Sequence, residues 1–415
     1  MYDTIVIGAG LSGLMAGIMR AERGERVLVL AKGHGTTHWA SGCVDLYDSA
    51  ASPLAAIEQL ATEQPDHPYA IAGRAAVEAA FAKLRALCAD AGYPLAGSLE
   101  RNLLLPSAVG ALRPTCFAPA TMVAGDGRQL AANSGQSAPL LIAGFRDLRD
   151  FFPQLIAENL SAQGYTAAAA YLDLPPTSRS KEFTTTIFAR LFEEDAFREH
   201  VGQQLRRLVK DGRFTRIGLP AILGQRHATQ VLADLQARCG ALIFEIPTLP
   251  TSVPGSRIYQ VLADAFETRG GRVQLGSKVE RAEGGHGQLQ FIYSEAAARE
   301  QRHRADRYIL ATGGVVGGGL RGDYGGTLHE TALGLPVHTP AHSAWFDPRF
   351  LNDSGHPVFR SGVAVDRTFR PVDEQGAVIY NNVAVVGSAL ANADAIREGC
   401  LEGLAVATGY AAGIL

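Results

Sequence analysis

Tyr2-Asp3-Thr4-Ile5-Val6-Ile7-Gly8-Ala9-Gly10-Leu11-Ser12-Gly13 is the stretch that decides the fold. Thr4 to Ile7 has the pattern of a buried strand. It runs straight into Gly8-x-Gly10-x-x-Gly13, and beyond it Leu11, Leu14, Met15 and Ile18 recur at helical spacing. Each glycine has a task in a strand–turn–helix that binds a dinucleotide. Gly8 permits the tight bend, Gly10 lets the backbone approach a pyrophosphate, and Gly13 allows close helix–strand contact. The helix start, at Leu11 and Ser12, offers free N–H groups and a positive dipole end to an anion. Arg26-Val27-Leu28-Val29-Leu30 supplies the second strand, so the glycine pattern sits in the context it needs.

One part of that pattern is missing. A Rossmann site usually ends its second strand with Asp or Glu, about 20 residues on, to hold the adenosine ribose hydroxyls. Here Leu30 is followed by Ala31-Lys32-Gly33, and Ala31 has no side-chain acceptor. The phosphate cradle is indicated, but the adenosine half of the ligand is not.

With 415 residues the chain exceeds one ordinary core, and two or more lobes are expected. Its 47% apolar content and 46 glycines fit a globular α/β protein. A net charge of −3, with Lys and Arg scattered, argues against a nucleic-acid surface. Cys43, Cys88, Cys116, Cys239 and Cys400 form no CxxC pair. That predicts no zinc site, iron–sulfur cluster or disulfide framework, and a reducing cytoplasm. No metal ligands are expected. The first strand begins at the N-terminus, so no signal peptide is expected, and no apolar stretch has membrane-spanning length.

The remaining pattern alternates strands and helices. Helix-like residues 72–91 are followed by a strand over 138–144, a second over 165–174, and a long helix over 182–209 broken near Asp195. Residues 216–220 and 241–245 form two more strands around a helix of 229–238. This predicts a second α/β lobe inserted into the first. A helix over 258–269 capped by Gly270-Gly271 then leads to residues 272–275, 279–281 and 288–293, expected as antiparallel strands. Tyr308-Ile309-Leu310-Ala311-Thr312-Gly313-Gly314 is a strand meeting a tight turn, and Val383 to Gly387-Ser388 is a third such element before a terminal helix of 393–411. The predicted architecture is a Rossmann-like domain, which the resemblance given next marks as flavin-binding, with a central parallel sheet and antiparallel crossover strands (1–45, 256–335 and 375–415). An inserted α/β lobe (46–255) and a connecting segment (336–374) complete it.

Three glycine blocks in this order resemble the two-dinucleotide-binding-domain flavoproteins. In that group the first turn holds the flavin phosphate and the Thr312-Gly313-Gly314 turn passes under the cofactor. The Gly387 turn places a positive helix end near the isoalloxazine, favouring the charge of a reduced flavin. Four further blocks carry a more specific resemblance over nearly the whole chain: His38-Trp-Ala-Ser-Gly-Cys-Val-Asp-Leu46, His67-Pro-Tyr69, Pro247-Thr-Leu-Pro-Thr-Ser-Val-Pro-Gly-Ser-Arg257 and Ile396-Arg-Glu-Gly-Cys400. They resemble the B subunits of anaerobic glycerol-3-phosphate dehydrogenases.

The resemblance implies oxidation of sn-glycerol 3-phosphate to dihydroxyacetone phosphate, with electrons passed to quinone in fumarate or nitrate respiration. It also implies a companion catalytic flavoprotein subunit and an iron–sulfur subunit tethering a cytoplasmic, peripheral complex to the inner membrane. FMN is the cofactor implied, which Ala31 and Gly387-Ser388 fit, with FAD as the alternative. Cofactor contacts are expected from Gly8, Gly10, Leu11, Ser12, Gly13, Ala31, Lys32, Ser41, Gly42, Thr312, Gly313, Gly314, Gly387 and Ser388. Oxidation of a secondary alcohol needs a base, and a phosphorylated substrate needs cations. His38, Arg257 and Arg321 are the candidates for that chemistry. Two other classes stay open: a free-standing reductase of the fumarate reductase type, and a non-catalytic interaction subunit. Within the leading class, the chain either oxidises substrate itself or relays electrons.

Overall fold

The opening stretch folds as strand β1 (Tyr2–Ile7), helix α1 (Leu11–Glu22) and strand β2 (Val27–Ala31). The structure is a computed structural model and describes residues 2–47, 51–131, 139–175, 182–296 and 299–415. Ile5, Val6 and Ile7 are buried, as are Val27 to Ala31, because a parallel strand covered on both faces needs a continuous apolar run.

Two compact units emerge: Met1–Thr37, Val44–Leu87 and Tyr259–Leu415 in the first, and His38–Cys43 with Cys88–Ile258 in the second. In the first unit, five parallel strands lie in the order Arg272–Leu275, β2, β1, Ala305–Leu310, Val383–Val385. Counted along the chain this is 3-2-1-4-5, the Rossmann order. Its winding reverses between β1 and Ala305–Leu310, where such sheets open a ligand crevice beyond the strands' carboxyl ends.

That order corrects one expectation. Arg272–Leu275 pairs parallel to β2, with Val273 beside Val29, and is not antiparallel. Four residues of partial alternation carry no direction. The preceding helix Val253–Thr268 returns the chain to the same end of the sheet, and its Phe266 packs against Gly17 of α1. The antiparallel crossover layer is Lys278–Gly285, Gln288–Ala296 and Arg299–His303.

The terminal helix is also corrected. It spans Leu401–Ile414, while Gly387–Ala389 is a single 3-10 turn, so the Gly387 turn is not the start of a helix. Gly387 N–H instead donates to Thr408 Oγ1 (2.8 Å) midway along that helix.

The second unit has its own four-stranded parallel sheet, in the order Leu242–Ile246, Arg216–Pro220, Leu140–Phe145, Ala167–Leu172. Ala138, expected to open the strand ending near Gly144, lies outside the described residues. The predicted long helix is two, Thr185–Glu193 and Asp195–Gly212, interrupted at Glu194. Phe145, Phe188, Phe192 and Phe197 close this core, with Phe145–Phe188 ring centroids 4.7 Å apart.

Residues 46–87, expected in the inserted lobe, cluster with the first unit, as do 336–374. Local composition misplaces 46–87 because long-range polar ties hold them. Gly403 N–H donates to Asp45 O (3.0 Å), and Tyr69 OH donates to Leu46 O (3.0 Å). Deeper in, Tyr69 N–H donates to His67 Nδ1 (3.1 Å), so that nitrogen carries no proton and Nε2–H donates to Glu398 Oε2 (3.1 Å). Cys400 Sγ–H also points at Glu398 Oε2 (3.4 Å). The His67-Pro-Tyr69 and Ile396–Cys400 blocks are therefore the two halves of one buried lock.

Burial alone would raise the Glu398 carboxyl, but His67 beside it holds it below its ordinary value. A carboxyl held low in the folded state adds stability above its unfolded pKa of about 4.3, and that stability is lost as pH falls through the lower folded value. His67→Phe should cost about 1–3 kcal/mol at pH 7. Its difference from wild type should shrink below about pH 4. Thermal unfolding at pH 7 and below 4 checks both statements, and an undiminished difference in acid would contradict the assignment.

Candidate functional site

At the switch point of the first unit, Gly8 follows β1 with φ +116°, a conformation that L side chains rarely adopt. A Cβ there would collide with the carbonyl of Ala311, at the end of the neighbouring strand. A Cβ on Gly13 would strike Gly8 O, so α1 can approach β1 only because both residues lack side chains. Gly10 differs: nothing lies within 4 Å of the position its Cβ would take. Above Gly10 the backbone faces open space, at the N-terminus of a helix with no side-chain cap and no acid in its first turn. Leu11 and Ser12 begin that helix. An uncapped helix start of this kind favours an anion.

The other two glycine blocks meet this turn. Gly314 N–H donates to Ser388 Oγ (3.1 Å), and Gly313 turns at φ +81° beside it. Ser12 packs against Gly387, whose absent Cβ would come within 2.6 Å of Ser12 Oγ. Thr312 Oγ1 is buried with no hydrogen-bond partner. A buried hydroxyl without a partner is unusual, and a ligand hydroxyl or phosphate oxygen would satisfy it. The structure thus brings Gly8, Gly10, Leu11, Ser12, Gly13, Thr312, Gly313, Gly314, Gly387 and Ser388 together. Ala31 ends β2 at the carboxyl end of the sheet, where its carbonyl accepts from Ser277 N–H (3.0 Å), and Lys32 is exposed beyond it. The donor set, the anion-ready helix end and the unpartnered hydroxyl all fit the phosphate and sugar part of a flavin dinucleotide.

His38, Ser41, Gly42 and Arg257 belong to the second unit. His38 lies on the 3-10 turn Thr36–Trp39, half-buried, and its carbonyl accepts from Ser252 N–H (2.8 Å). Ser41 Oγ accepts from Cys43 N–H (3.2 Å), and Gly42 packs against Pro254.

Arg257 is a correction. Its Nε and Nη2 donate to Gly224 O (2.9 and 2.7 Å), Nη2 and Nη1 to the two Glu245 carboxylate oxygens (2.9 and 2.7 Å), and Nη1 to Tyr93 OH (3.3 Å). Those bonds use all five donors of a guanidinium, so none is left for a substrate phosphate. Burial alone would disfavour its charge, but Glu245 beside it more than compensates and holds the pKa above its ordinary value. Burial likewise pushes the Tyr93 hydroxyl up. Arg257 is the clamp that ties the Pro247–Arg257 block to the sheet end at Glu245, which also accepts from Thr121 Oγ1 and Leu223 N–H.

Arg321 lies in the first unit, exposed on the short strand Leu320–Gly322, and lines an open cleft with Lys278, Tyr324 and His329. Lys278 and the buried lock of His67, Glu398 and Cys400 escaped the reading of the sequence. The lock's two blocks stand out in the sequence, but its partners are 331 residues apart in the chain and no local signal joins them. None of the five cysteines forms a disulfide.

Residues 3–404 match the family described as FAD binding domain. With the Rossmann sheet and its anion cradle, this defines a flavin-dependent oxidoreductase. Relatives named as the B subunit of anaerobic glycerol-3-phosphate dehydrogenase occur in Yersinia enterocolitica and Pectobacterium atrosepticum. Each is 30% identical over 98% of this chain, covering 95% and 96% of the relative respectively. A probable B subunit of the same enzyme from Halobacterium salinarum is also 30% identical, over 99% of this chain and 96% of its own. The chain belongs to the family of anaerobic glycerol-3-phosphate dehydrogenase B subunits. That designation implies a multi-subunit complex, and no helix among the described residues is long and apolar enough to cross a membrane. FMN as the first choice of cofactor is not supported, because the matched domain is an FAD binding one.

Proposed function

We propose that this chain is an FAD-carrying subunit that oxidises sn-glycerol 3-phosphate to dihydroxyacetone phosphate. The carrying observation is the conjunction of an anion-ready cradle at the switch point with a family match spanning 98% of the chain. A bound flavin supplies the hydride acceptor. His38 takes the proton of the substrate's secondary hydroxyl, a role suited to an imidazole on a turn whose main chain is pinned. Electrons then leave through a companion flavoprotein and an iron–sulfur subunit towards quinone, at the cytoplasmic face of the inner membrane.

The test is anaerobic mixing of the purified, flavin-loaded chain with glycerol 3-phosphate. Bleaching of the flavin supports direct oxidation, and its absence would mean that the chain only relays electrons. His38→Gln should slow bleaching by roughly 100-fold while the flavin stays bound, as for loss of a general base. An unchanged rate removes His38 from the chemistry. A colourless protein that takes up neither FAD nor FMN would overturn the proposal and leave an interaction subunit.

A further inference from the structure

Apart from Tyr324, the large apolar side chains most open to solvent among the described residues lie on one loop of the first unit. Phe350 and Leu351 are 86% and 87% exposed, and Phe346 is 61% exposed. Ile396, itself half exposed, stands beside them, because the next residue, Arg397, donates from Nε to Asp353 O (2.7 Å).

This loop is tightly held. Trp345 and Val358 are buried at its base with Leu328, and Val358 N–H donates to Trp345 O (3.1 Å), which closes it. Inside, His356 joins both arms: its Nδ1 accepts from Asp347 N–H (3.1 Å), and its Nε2–H donates to Phe350 O (3.0 Å). The tip turns on Gly355 N–H donating to Asn352 O (2.9 Å). Main-chain polar groups are therefore spent inside the loop while its apolar side chains point out. A contiguous apolar patch of this kind marks a contact site, and ordering it in advance lowers the entropic cost of binding.

Area and charge select the occupant. Two phenylalanines of about 150–250 Å2 each, with a leucine and an isoleucine, offer roughly 500 Å2, most of the ~800 Å2 that each partner buries in a stable protein interface. Residues 346–356 carry Asp347, Arg349 and Asp353, and the exposed Arg360 and Arg397 flank them. Charges of both signs around an apolar centre form the rim of a protein interface, whereas an anionic bilayer selects clusters of about four to eight Lys or Arg. Relatives of this chain are named as one subunit of an enzyme, and the loop belongs to the unit that carries the flavin cradle, where the next electron carrier has to dock.

We propose that the loop 346–356 docks the companion flavoprotein subunit, with Phe350 and Leu351 seated in an apolar groove of that partner and Asp347, Arg349 and Asp353 meeting charges at its rim. The partner's identity rests on the electron route proposed above.

The flavin-loaded full chain and its Phe350→Ser/Leu351→Ser variant would be titrated with purified companion flavoprotein by isothermal titration calorimetry. The wild type should bind, and the double variant should bind about 100-fold more weakly, as for two central anchors. Flavin content and melting temperature should match wild type, since both side chains are exposed. Leu242→Ser, at an exposed leucine of the second unit, should bind as wild type. Equal affinities of wild type and double variant, an equal loss in Leu242→Ser, or a wild type that does not bind would each overturn the assignment. Cosedimentation with phosphatidylglycerol vesicles that only the double variant loses, its companion binding intact, would overturn it in favour of a membrane contact. A wild-type dimer that the double variant cannot form, again with companion binding intact, would overturn it in favour of a second copy. Flavin bleaching by glycerol 3-phosphate needs no partner, so failure of the oxidation reading is distinguishable from failure of this one.

Discussion

Arg257→Met should destabilise the protein by about 3–5 kcal/mol, the range for removing one partner of a buried ion pair. Glu245 would remain buried with only Thr121 Oγ1 and Leu223 N–H as donors, and Gly224 O would lose both of its guanidinium bonds. The methionine fills much of the volume, so the loss is electrostatic rather than a cavity. Urea unfolding monitored by far-UV circular dichroism measures it. Glu245→Gln should cost a similar amount, because the amide NH2 would face an Arg257 donor and leave the guanidinium buried without its counter-charge. The double variant Arg257→Met/Glu245→Leu should recover part of the stability, since no uncompensated charge remains. If Arg257 held substrate, the single variant would instead fold normally and show a raised KM.

Gly10→Val and Gly13→Val should both lose flavin, for different reasons. At Gly10 the added side chain meets no protein atom, so the apoprotein should melt within about 0.5 kcal/mol of wild type. The isopropyl group would occupy the space through which the backbone N–H groups reach a phosphate. Losing two charge-assisted hydrogen bonds at about 1.5 kcal/mol each weakens flavin binding on the order of 100-fold. At Gly13 the Cβ runs into Gly8 O, so helix and strand must separate. That overpacking costs about 1–3 kcal/mol of stability in addition to the flavin. Differential scanning calorimetry of the apoproteins, beside absorbance of the flavin that copurifies, separates the two cases. A Gly10→Val protein that keeps its flavin would show that the anion lies elsewhere.

Much of the first unit was legible because turn chemistry is local. A strand pattern, three glycines and a helical pattern are complete within 18 residues, and each glycine's role follows from its neighbours in the chain. The Gly313 and Gly387 turns were legible for the same reason. Direction and partnership were not. Arg272–Leu275 alternates like any short strand, and only the sheet shows that it lies parallel to β2 as the third strand. The terminal helix was started too early because residues 393–400 are helix-compatible, yet Asp394 and Glu398 fold them into a capped loop ahead of Leu401.

The amino-acid sequence alone pointed to an α/β protein of more than one lobe, with a strand–turn–helix at Gly8, Gly10 and Gly13 and no acid at Ala31. Periodicity and turn chemistry are properties of short windows and need no distant partner. Only the tertiary structure decided what the charged residues do. Arg257 is consumed by Glu245, His67 by Glu398 across 331 residues, and Lys278 is brought to the same cleft as Arg321 through the ends of two strands. A charge takes its role from the group it meets, and that meeting is set by the packing of the whole chain.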